Sequence, residues 1–150
     1  MADDPRSRQE RKADVLARLT GPVVDAWVAT AGDAGPHLVP LTLAWLDERI
    51  LLATSRTSVT ARNLAAGSRA RIGLGPTRDV VLVDAALEAT IPVAEAEVEG
   101  AAYAAQSDWD PRTAGESYVF LALRPDRIQA WREENEIPDR LLMRDGAWLV

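Results

Sequence analysis

The sequence contains no cysteine and only one histidine, His37. Without thiolates the chain cannot form a disulfide, an iron–sulfur cluster, a sulfur-ligated zinc site or a thiolate nucleophile. One imidazole is also too few for the usual transition-metal site built from protein ligands. Redox chemistry in this protein would therefore depend on a bound organic cofactor.

The chain also lacks a surplus of positive charge and any long apolar run. Its formal net charge is -6 and its pI is about 4.8, which argues against nucleic acid or an anionic membrane as a partner. No apolar segment approaches the ~20 residues that span a bilayer, and the first residues, MADDPRSRQERK, are mixed in charge. We therefore expect a cytoplasmic protein that acts on a small molecule.

The 150 residues fit one domain with its own core, preceded by a short helix. Asp4 and Pro5 form the pattern of an N-cap followed by proline at the first helical position, and Thr20 to Pro22 would end the helix. The predicted organisation is a docking helix within residues 1–22 and a main domain over residues 23–150.

Most of the main domain has the alternation of β-strands. Residues 24–31 and 37–45 read as a hairpin whose turn, Gly32 to Gly35, is longer than two residues. A third strand over 50–54 is followed by a helix over 59–66, which Gly67 closes. Further predicted strands cover residues 69–74, 79–89, 118–123, 128–132, 141–144 and 147–150.

A second helix is predicted to open at Pro92. Its small residues Ala94, Val98, Ala101 and Ala105 recur at helical spacing and would face a core. Many short strands with helices inserted between them favour a closed antiparallel barrel, because closure removes exposed strand edges. The predicted fold class is therefore mainly β, a β-barrel with inserted helices.

A hydroxyl-rich junction separates the third strand from the first inserted helix. Thr54, Ser55, Thr57 and Ser58 lie at the helix start, and Arg56 and Arg62 flank it. Free N–H groups at a helix start attract an anion, so the junction is a candidate phosphate site. The alternative is that the hydroxyls only cap the helix and that the arginines are solvated.

The second informative stretch runs from residue 125 to 148. Trp131, Arg140 and Arg144 offer an aromatic face and two permanent cations, which suit a flat, anionic cofactor of the flavin type. The alternatives are that Trp131 has a structural role and that Arg144, before the Asp145-Gly146 turn, is an ordinary hairpin residue.

The order of these motifs resembles the pyridoxamine 5'-phosphate oxidase-like family, the split-barrel flavin and deazaflavin proteins. The resemblance runs from about Val24 to the last residues and rests on AWVATAGDAGPHLVPLTLAW, ILLATSRTSVTARNL, RDVVLV and LRPDRIQAWREENEIPDRLLMRDGAWL. It implies an FMN-binding split β-barrel that forms a homodimer, with two cofactor sites across the interface.

The resemblance also implies a set of site residues. The strand HLVPLT would lie along the flavin ring, Thr54 and Ser58 would hold the phosphate, and Arg140 would meet the substrate. Trp131 and Arg144 would complete the site of the partner subunit. The implied cofactor set is His37, Val39, Pro40, Leu41, Thr42, Thr54, Ser55, Ser58, Thr60, Arg62, Asn63, Trp131 and Arg144.

Three positions depart from the family pattern. His37 and Thr60 stand where the family has basic phosphate contacts, and Leu142 stands where true pyridoxamine phosphate oxidases have a histidine. Either Arg56 and Arg62 substitute for the missing cations, or the phosphate is bound with lower affinity or in a different place. These departures imply that the chain does not oxidise pyridoxamine phosphate.

Three functions follow from the resemblance. The first is an FMN-dependent oxidoreductase that exchanges hydride with a small organic substrate, with His37 and Arg140 as substrate-side candidates. The second keeps the reaction with the 8-hydroxy-5-deazaflavin coenzyme F-420, whose anionic tail needs a basic groove such as Arg56, Arg62, Arg69 and Arg71 would line. The third is a non-catalytic flavin-binding or sensing module. Haem is disfavoured, because His37 is the sole histidine.

Overall fold

The computed structural model describes residues 3–150. Within this range the helices are α1 (Arg8–Leu19), α2 (Val59–Gly67) and α3 (Glu97–Ser107). The strands are β1 (Val24–Gly32), β2 (Gly35–Leu46), β3 (Arg49–Ser55), β4 (Arg69–Leu74), β5 (Val80–Pro92), β6 (Tyr118–Trp131), β7 (Leu141–Arg144) and β8 (Ala147–Trp148).

Six of the strands close into an antiparallel barrel. Their order is β3-β2-β1-β4-β5-β6, and pairing of β3 with β6 closes the ring, while β7 and β8 extend from β6. The barrel interior is filled by side chains such as Val28, Leu43, Ile72, Leu121 and Ile128, all fully or almost fully buried. The predicted fold class, a mainly β barrel with inserted helices, is confirmed.

The barrel is split along one strand. β2 pairs with β1 from Gly35 to Leu43, but it pairs with β3 only from Leu43 to Leu46. The first half of β2 therefore has one open edge. Helix α2 contacts β1 and β3 and directs Ala61 and Leu64 into the barrel core, so it fills the end of the barrel that the split leaves open.

Helix α1 packs on the barrel but begins later than predicted. Its N-cap is Ser7, in a capping box with Glu10, so Asp4 and Pro5 precede the helix. Val15 and Leu19 enter the same core as the barrel strands. No helix in residues 3–150 combines the length and apolarity needed to cross a membrane.

The predicted length of the β1–β2 turn and the predicted break between residues 123 and 128 are both wrong. Gly32 pairs directly with Gly35, so the β1–β2 turn contains only two residues, Asp33 and Ala34. Gly35, which follows them, has a positive φ of 106°, a conformation that glycine adopts without strain. β6 is one strand rather than two, since Pro125 pairs with Ala85 beside a β-bulge, where a missing N–H is tolerated.

The second inserted helix presents a different face from the one predicted. β5 continues to Pro92, a 3-10 turn follows, and α3 begins at Glu97. Val98 is 66% exposed, and Ala94, Ala101 and Ala105 are exposed as well. The buried face carries Tyr103, and this residue packs with Phe120 in a second core between α3 and the outside of the barrel.

Candidate functional site

The open edge of β2 offers unpaired backbone groups. In an antiparallel strand the N–H and C=O of one residue point to the same edge, and successive residues alternate. Pro36 and Pro40 have no N–H, so they and Leu38 face the open edge, while the residues between them pair with β1. Leu38 and Pro40 are exposed, and their backbone groups at this edge have no partner in β3.

Side chains of α3 mark the end of this open section. The Tyr103 hydroxyl donates a 2.9 Å hydrogen bond to the Thr42 carbonyl oxygen. The Trp45 N–H, beyond the end of β1, donates to Gln106 Oε1 at 2.8 Å. Burial raises the pKa of Tyr103 to about 12, so this phenol is a neutral donor at physiological pH. No local pattern in the sequence predicts either contact, because α3 lies about sixty residues from β2.

The start of α2 combines a capping hydroxyl with free backbone donors. Ser58 is the N-cap, and its Oγ accepts a 3.1 Å hydrogen bond from the Ala61 N–H. Its own hydroxyl proton stays available. Within residues 3–150 the N–H groups of Val59 and Thr60 have no backbone or side-chain acceptor. Ser55 Oγ lies 3.1 Å from Thr57 Oγ1 in the preceding turn, so several donors converge there.

Within the predicted cofactor set, Thr60 is buried and Asn63 has a side-chain partner in β1. The Thr60 side chain is almost wholly buried, with 2% of the residue exposed. Asn63 Nδ2 donates to Thr30 Oγ1 at 3.1 Å, and a Cβ at Gly32 would overlap the Asn63 amide. Asn63 thus ties α2 to β1, and a cofactor contact from Thr60 or Asn63 stays a prediction.

The remaining polar candidates divide between this end of the barrel and the loop before β6. His37 is the cross-strand neighbour of Thr30, so it lies close to Asn63 and α2. Arg56 is held by the loop, since its Nη2 donates to the Glu116 carbonyl at 2.8 Å. Arg62 is exposed and has no ion-pair partner within residues 3–150. It is the freer of the two flanking cations.

Trp131 and Arg140 form one unit on the other side of the molecule. The Arg140 guanidinium carbon lies 5.8 Å from the centre of the half-buried Trp131 ring. Arg140 Nε donates to Gln129 Oε1 at 3.0 Å and Nη1 to the Ile137 carbonyl at 3.0 Å. Arg144 is exposed at the β7–β8 turn.

The structure does not bring the two groups of candidates together within one chain. Tyr118, at the start of β6, pairs with Ser55 beside the α2 junction. Trp131, at the end of β6, pairs with Val80. The phosphate candidates and the Trp131–Arg140 unit therefore lie at opposite ends of the same strand.

The outer face of β1 and β2 carries an exposed apolar patch, and the neighbouring strand β4 adds charged residues beside it. Trp27 is 55% exposed and Leu38 58% exposed, and Trp27 pairs across the strands with Pro40. Grooves of about 410 and 340 Å³ lie along this face. The larger is rimmed by Arg69 and Arg71, but each is ion-paired, to Asp126 at 2.7 Å and to Asp84 at 2.6 Å.

Comparisons with known proteins support the fold. No family model and no curated protein matches the chain. Among solved structures, an F420 reductase has a TM-score of 0.62 at 19% identity, over 75% of this chain and 93% of its own. A FAD-binding protein from Mesorhizobium loti has a TM-score of 0.60 at 20% identity, over 78% of this chain and 89% of its own.

Haem proteins share the same architecture. A heme-binding protein from Mycobacterium smegmatis has a TM-score of 0.65 at 21% identity, over 94% of this chain and 59% of its own. Identities this low show the fold alone. The chain is a split β-barrel protein, with the fold that its resemblance to the pyridoxamine 5'-phosphate oxidase-like family implied.

Proposed function

We propose that the chain is a flavin-dependent oxidoreductase that binds FMN between the open edge of β2 and the start of α2. The single observation that carries this proposal is the unpaired section of β2 at Leu38 and Pro40, adjacent to a barrel end that α2 fills. The pyrimidine edge of a flavin alternates carbonyl oxygens with an N–H, which suits the alternating groups of a strand edge.

The start of α2 supports the phosphate position. The free N–H groups of Val59 and Thr60 and the Ser58 hydroxyl proton are donors for an anion. Arg62, unpaired within the described residues, supplies a cation nearby. When bound, FMN would supply hydride transfer, and the chain would bind, orient and shield it.

A second copy of the chain would complete each site. Because Trp131, with Arg140 beside it, lies at the opposite end of β6 from the α2 junction, one chain carries two half-sites. The exposed face with Trp27 and Leu38 has an apolar centre and a rim of both charges, so it can pair with its own copy. We therefore propose a homodimer that buries this face.

One observation favours FMN over coenzyme F-420, and another argues against pyridoxamine phosphate as the substrate. Arg69 and Arg71 are neutralised by carboxylates, which leaves the larger groove without the free positive charge that a deazaflavin tail needs. FMN is therefore favoured over coenzyme F-420. Leu142, where a pyridoxamine phosphate oxidase has histidine, is fully buried in the core, which supports a different substrate.

The test begins with the purified protein. Its visible spectrum and the mass of any released cofactor distinguish flavin, deazaflavin and haem, and titrations of the apo protein with each rank the affinities. Tight binding of FMN and reoxidation of the reduced form by an acceptor support the proposal. Preference for deazaflavin or a haem Soret band would overturn it, and flavin binding without turnover would favour a sensing module.

A pair of variants tests the phosphate position. Ser58→Asp keeps an N-cap side chain but places negative charge at the start of α2, so the affinity for FMN should fall at least tenfold. Ser58→Asn is the neutral control of similar size and capping ability, and it should bind FMN nearly as the wild type does. Equal affinities in both variants would place the phosphate elsewhere.

A further inference from the structure

The Glu136 carboxylate joins the two ends of the chain. It accepts hydrogen bonds from the Arg6 backbone N–H at 3.0 Å, from Arg6 Nε at 3.0 Å and from Arg6 Nη2 at 2.8 Å. A fourth comes from the backbone N–H of Arg132 at 2.8 Å. Glu136 is only 3% exposed, so these four donors satisfy a buried charge.

Residues 3–11, which we call the N-terminal segment, make further hydrogen bonds to the stretch of chain around Glu136. Arg8 Nη2 donates to the Leu141 carbonyl at 2.7 Å, and the Asp3 carbonyl accepts from Asn135 Nδ2 at 2.9 Å. The buried Arg11 donates through Nη1 to the carbonyls of Glu136 at 3.2 Å and Ala130 at 3.4 Å. We call residues 130–141 the arm.

The arm has little apolar contact of its own to hold it. Between Trp131 and Arg140 it runs through a 3-10 segment, Glu134–Asp139, in which Glu136 is the only buried residue. Ile137, the one large apolar side chain there, is 38% exposed. Between its paired ends, the arm is therefore held chiefly by polar contacts, several of which come from the N-terminal segment.

These contacts bracket Trp131. The carbonyl before it, on Ala130, accepts from Arg11, and the N–H after it, on Arg132, donates to Glu136. The Ala130 N–H donates to the Arg140 carbonyl at 2.9 Å, which ties both ends of the arm together. Trp131 itself pairs with Val80 of β5, while the backbone groups on each side of it bond to Arg11 and to Glu136, which Arg6 holds.

We propose that Glu136, held by Arg6, is a positioning residue that sets the orientation of Trp131 and Arg140. The consequence for cofactor binding rests on the proposed function. The orientation of the indole does not, since it is a property of the protein alone. The N-terminal segment is accordingly part of the site rather than an accessory.

The experiment uses full-length protein in which the five tryptophans are replaced by 5-fluorotryptophan. Each of the five positions then gives its own ¹⁹F signal. Trp131→Phe assigns the signal of interest. Glu136→Gln and Arg6→Gln should each shift and broaden the Trp131 signal and leave the other four in place. Glu133→Gln is the matched control, because Glu133 lies on the same arm in an exposed ion pair with Arg78.

General destabilisation is controlled with Leu64→Ala in α2, which should lower the melting temperature without moving the Trp131 signal. If Glu136→Gln does not fold, Arg6→Gln provides the same test. An unchanged Trp131 signal in the folded variants would overturn the proposal.

The dissociation constant for FMN should rise about tenfold in Glu136→Gln and stay unchanged in Glu133→Gln. If the wild type binds no flavin while the Trp131 signal still moves, the proposed function fails and the positioning role stands. If flavin binds equally well to every variant, Glu136 does not position the site.

Discussion

Tyr103 and Thr42 are joined by a hydrogen bond from the phenol to the carbonyl oxygen, and this bond ends the open section of β2. Tyr103 lies almost wholly buried in the core beneath α3, with 1% of the residue exposed. Helix α3 thereby occupies the last acceptor of the strand edge and leaves the groups at Leu38 and Pro40 to a ligand.

Tyr103→Phe should lower the free energy of unfolding by about 1 kcal/mol at pH 7, because the Thr42 carbonyl loses its donor. The difference should shrink above pH 10. The folded wild type keeps the phenol protonated up to its raised pKa of about 12, so the unfolded state, which ionises near 10, gains as the pH rises. Urea denaturation from pH 7 to 11 measures both effects. A constant difference over this range would contradict the assigned pKa.

Glu136→Gln should destabilise the protein by about 2 kcal/mol at pH 7, since Arg6 loses its carboxylate partner. Hydrogen bonds from Arg6 lower the pKa of Glu136 from 4.5 to about 2. A lowered carboxyl pKa stabilises the fold above pH 4.5, and this contribution is lost as the pH falls toward 2. Wild type and variant should therefore converge in stability by about pH 2.5 in denaturant titrations. Parallel curves down to that pH would be the contrary outcome.

Gly32→Ala should destabilise the protein by about 1 to 3 kcal/mol, because the added methyl group displaces the Asn63 amide and breaks its bond to Thr30. Gly67→Ala is the control. No atom lies near a Cβ at Gly67, which ends α2, so alanine there should stabilise by up to about 1 kcal/mol. Thermal melts of the two variants should shift in opposite directions, and a harmless Gly32→Ala would contradict the packing described.

Trp27→Glu should convert the proposed homodimer to a monomer, because it places a charge at the centre of the exposed apolar face. Light scattering at micromolar concentration measures the mass. Val98→Glu, on the solvent side of α3, is the control for a charge at an equally exposed apolar residue and should leave the mass unchanged. A wild type that is monomeric with cofactor bound would refute the shared site.

Arg144→Ala should lower both the flavin affinity and the flavin reduction potential, because a cation near the ring favours the anionic reduced form. Arg127→Ala removes another exposed arginine and serves as the control. Redox titration of the bound flavin gives the potential. An unchanged potential and affinity in Arg144→Ala would remove that residue from the site and favour the non-catalytic function.

Local patterns in the sequence predicted much of the barrel. The alternation of apolar and polar residues predicted the bounds of β1 to β4 to within a few residues. The N-cap at Ser58 and the two-residue turn at Asp145 follow from short-range preferences of the backbone. The sequence also contains the pattern that marks the start of α1, Ser7 followed three residues later by Glu10. Asp4 and Pro5 form a competing N-cap pattern, which led to the wrong start.

Other features depend on contacts between distant parts of the chain, which local patterns do not encode. Alanine is compatible with either face of a helix, so the small residues of α3 did not reveal that Tyr103 marks its buried side. The pair between Arg6 and Glu136 links opposite ends of the sequence. The open edge of β2 follows from where β3 stops pairing, which depends on the closure of the whole barrel.

Pro36 and Pro40 also protect the open edge of β2 against aggregation. An unpaired strand edge is a template for edge-to-edge aggregation, and this one must stay accessible if a ligand is to use it. Two missing N–H groups at alternate positions prevent a foreign strand from forming a continuous ladder, yet they leave the carbonyl oxygens and the Leu38 N–H exposed. The prolines thus disfavour a second polypeptide strand at this edge more than they would a short planar ligand of the proposed kind.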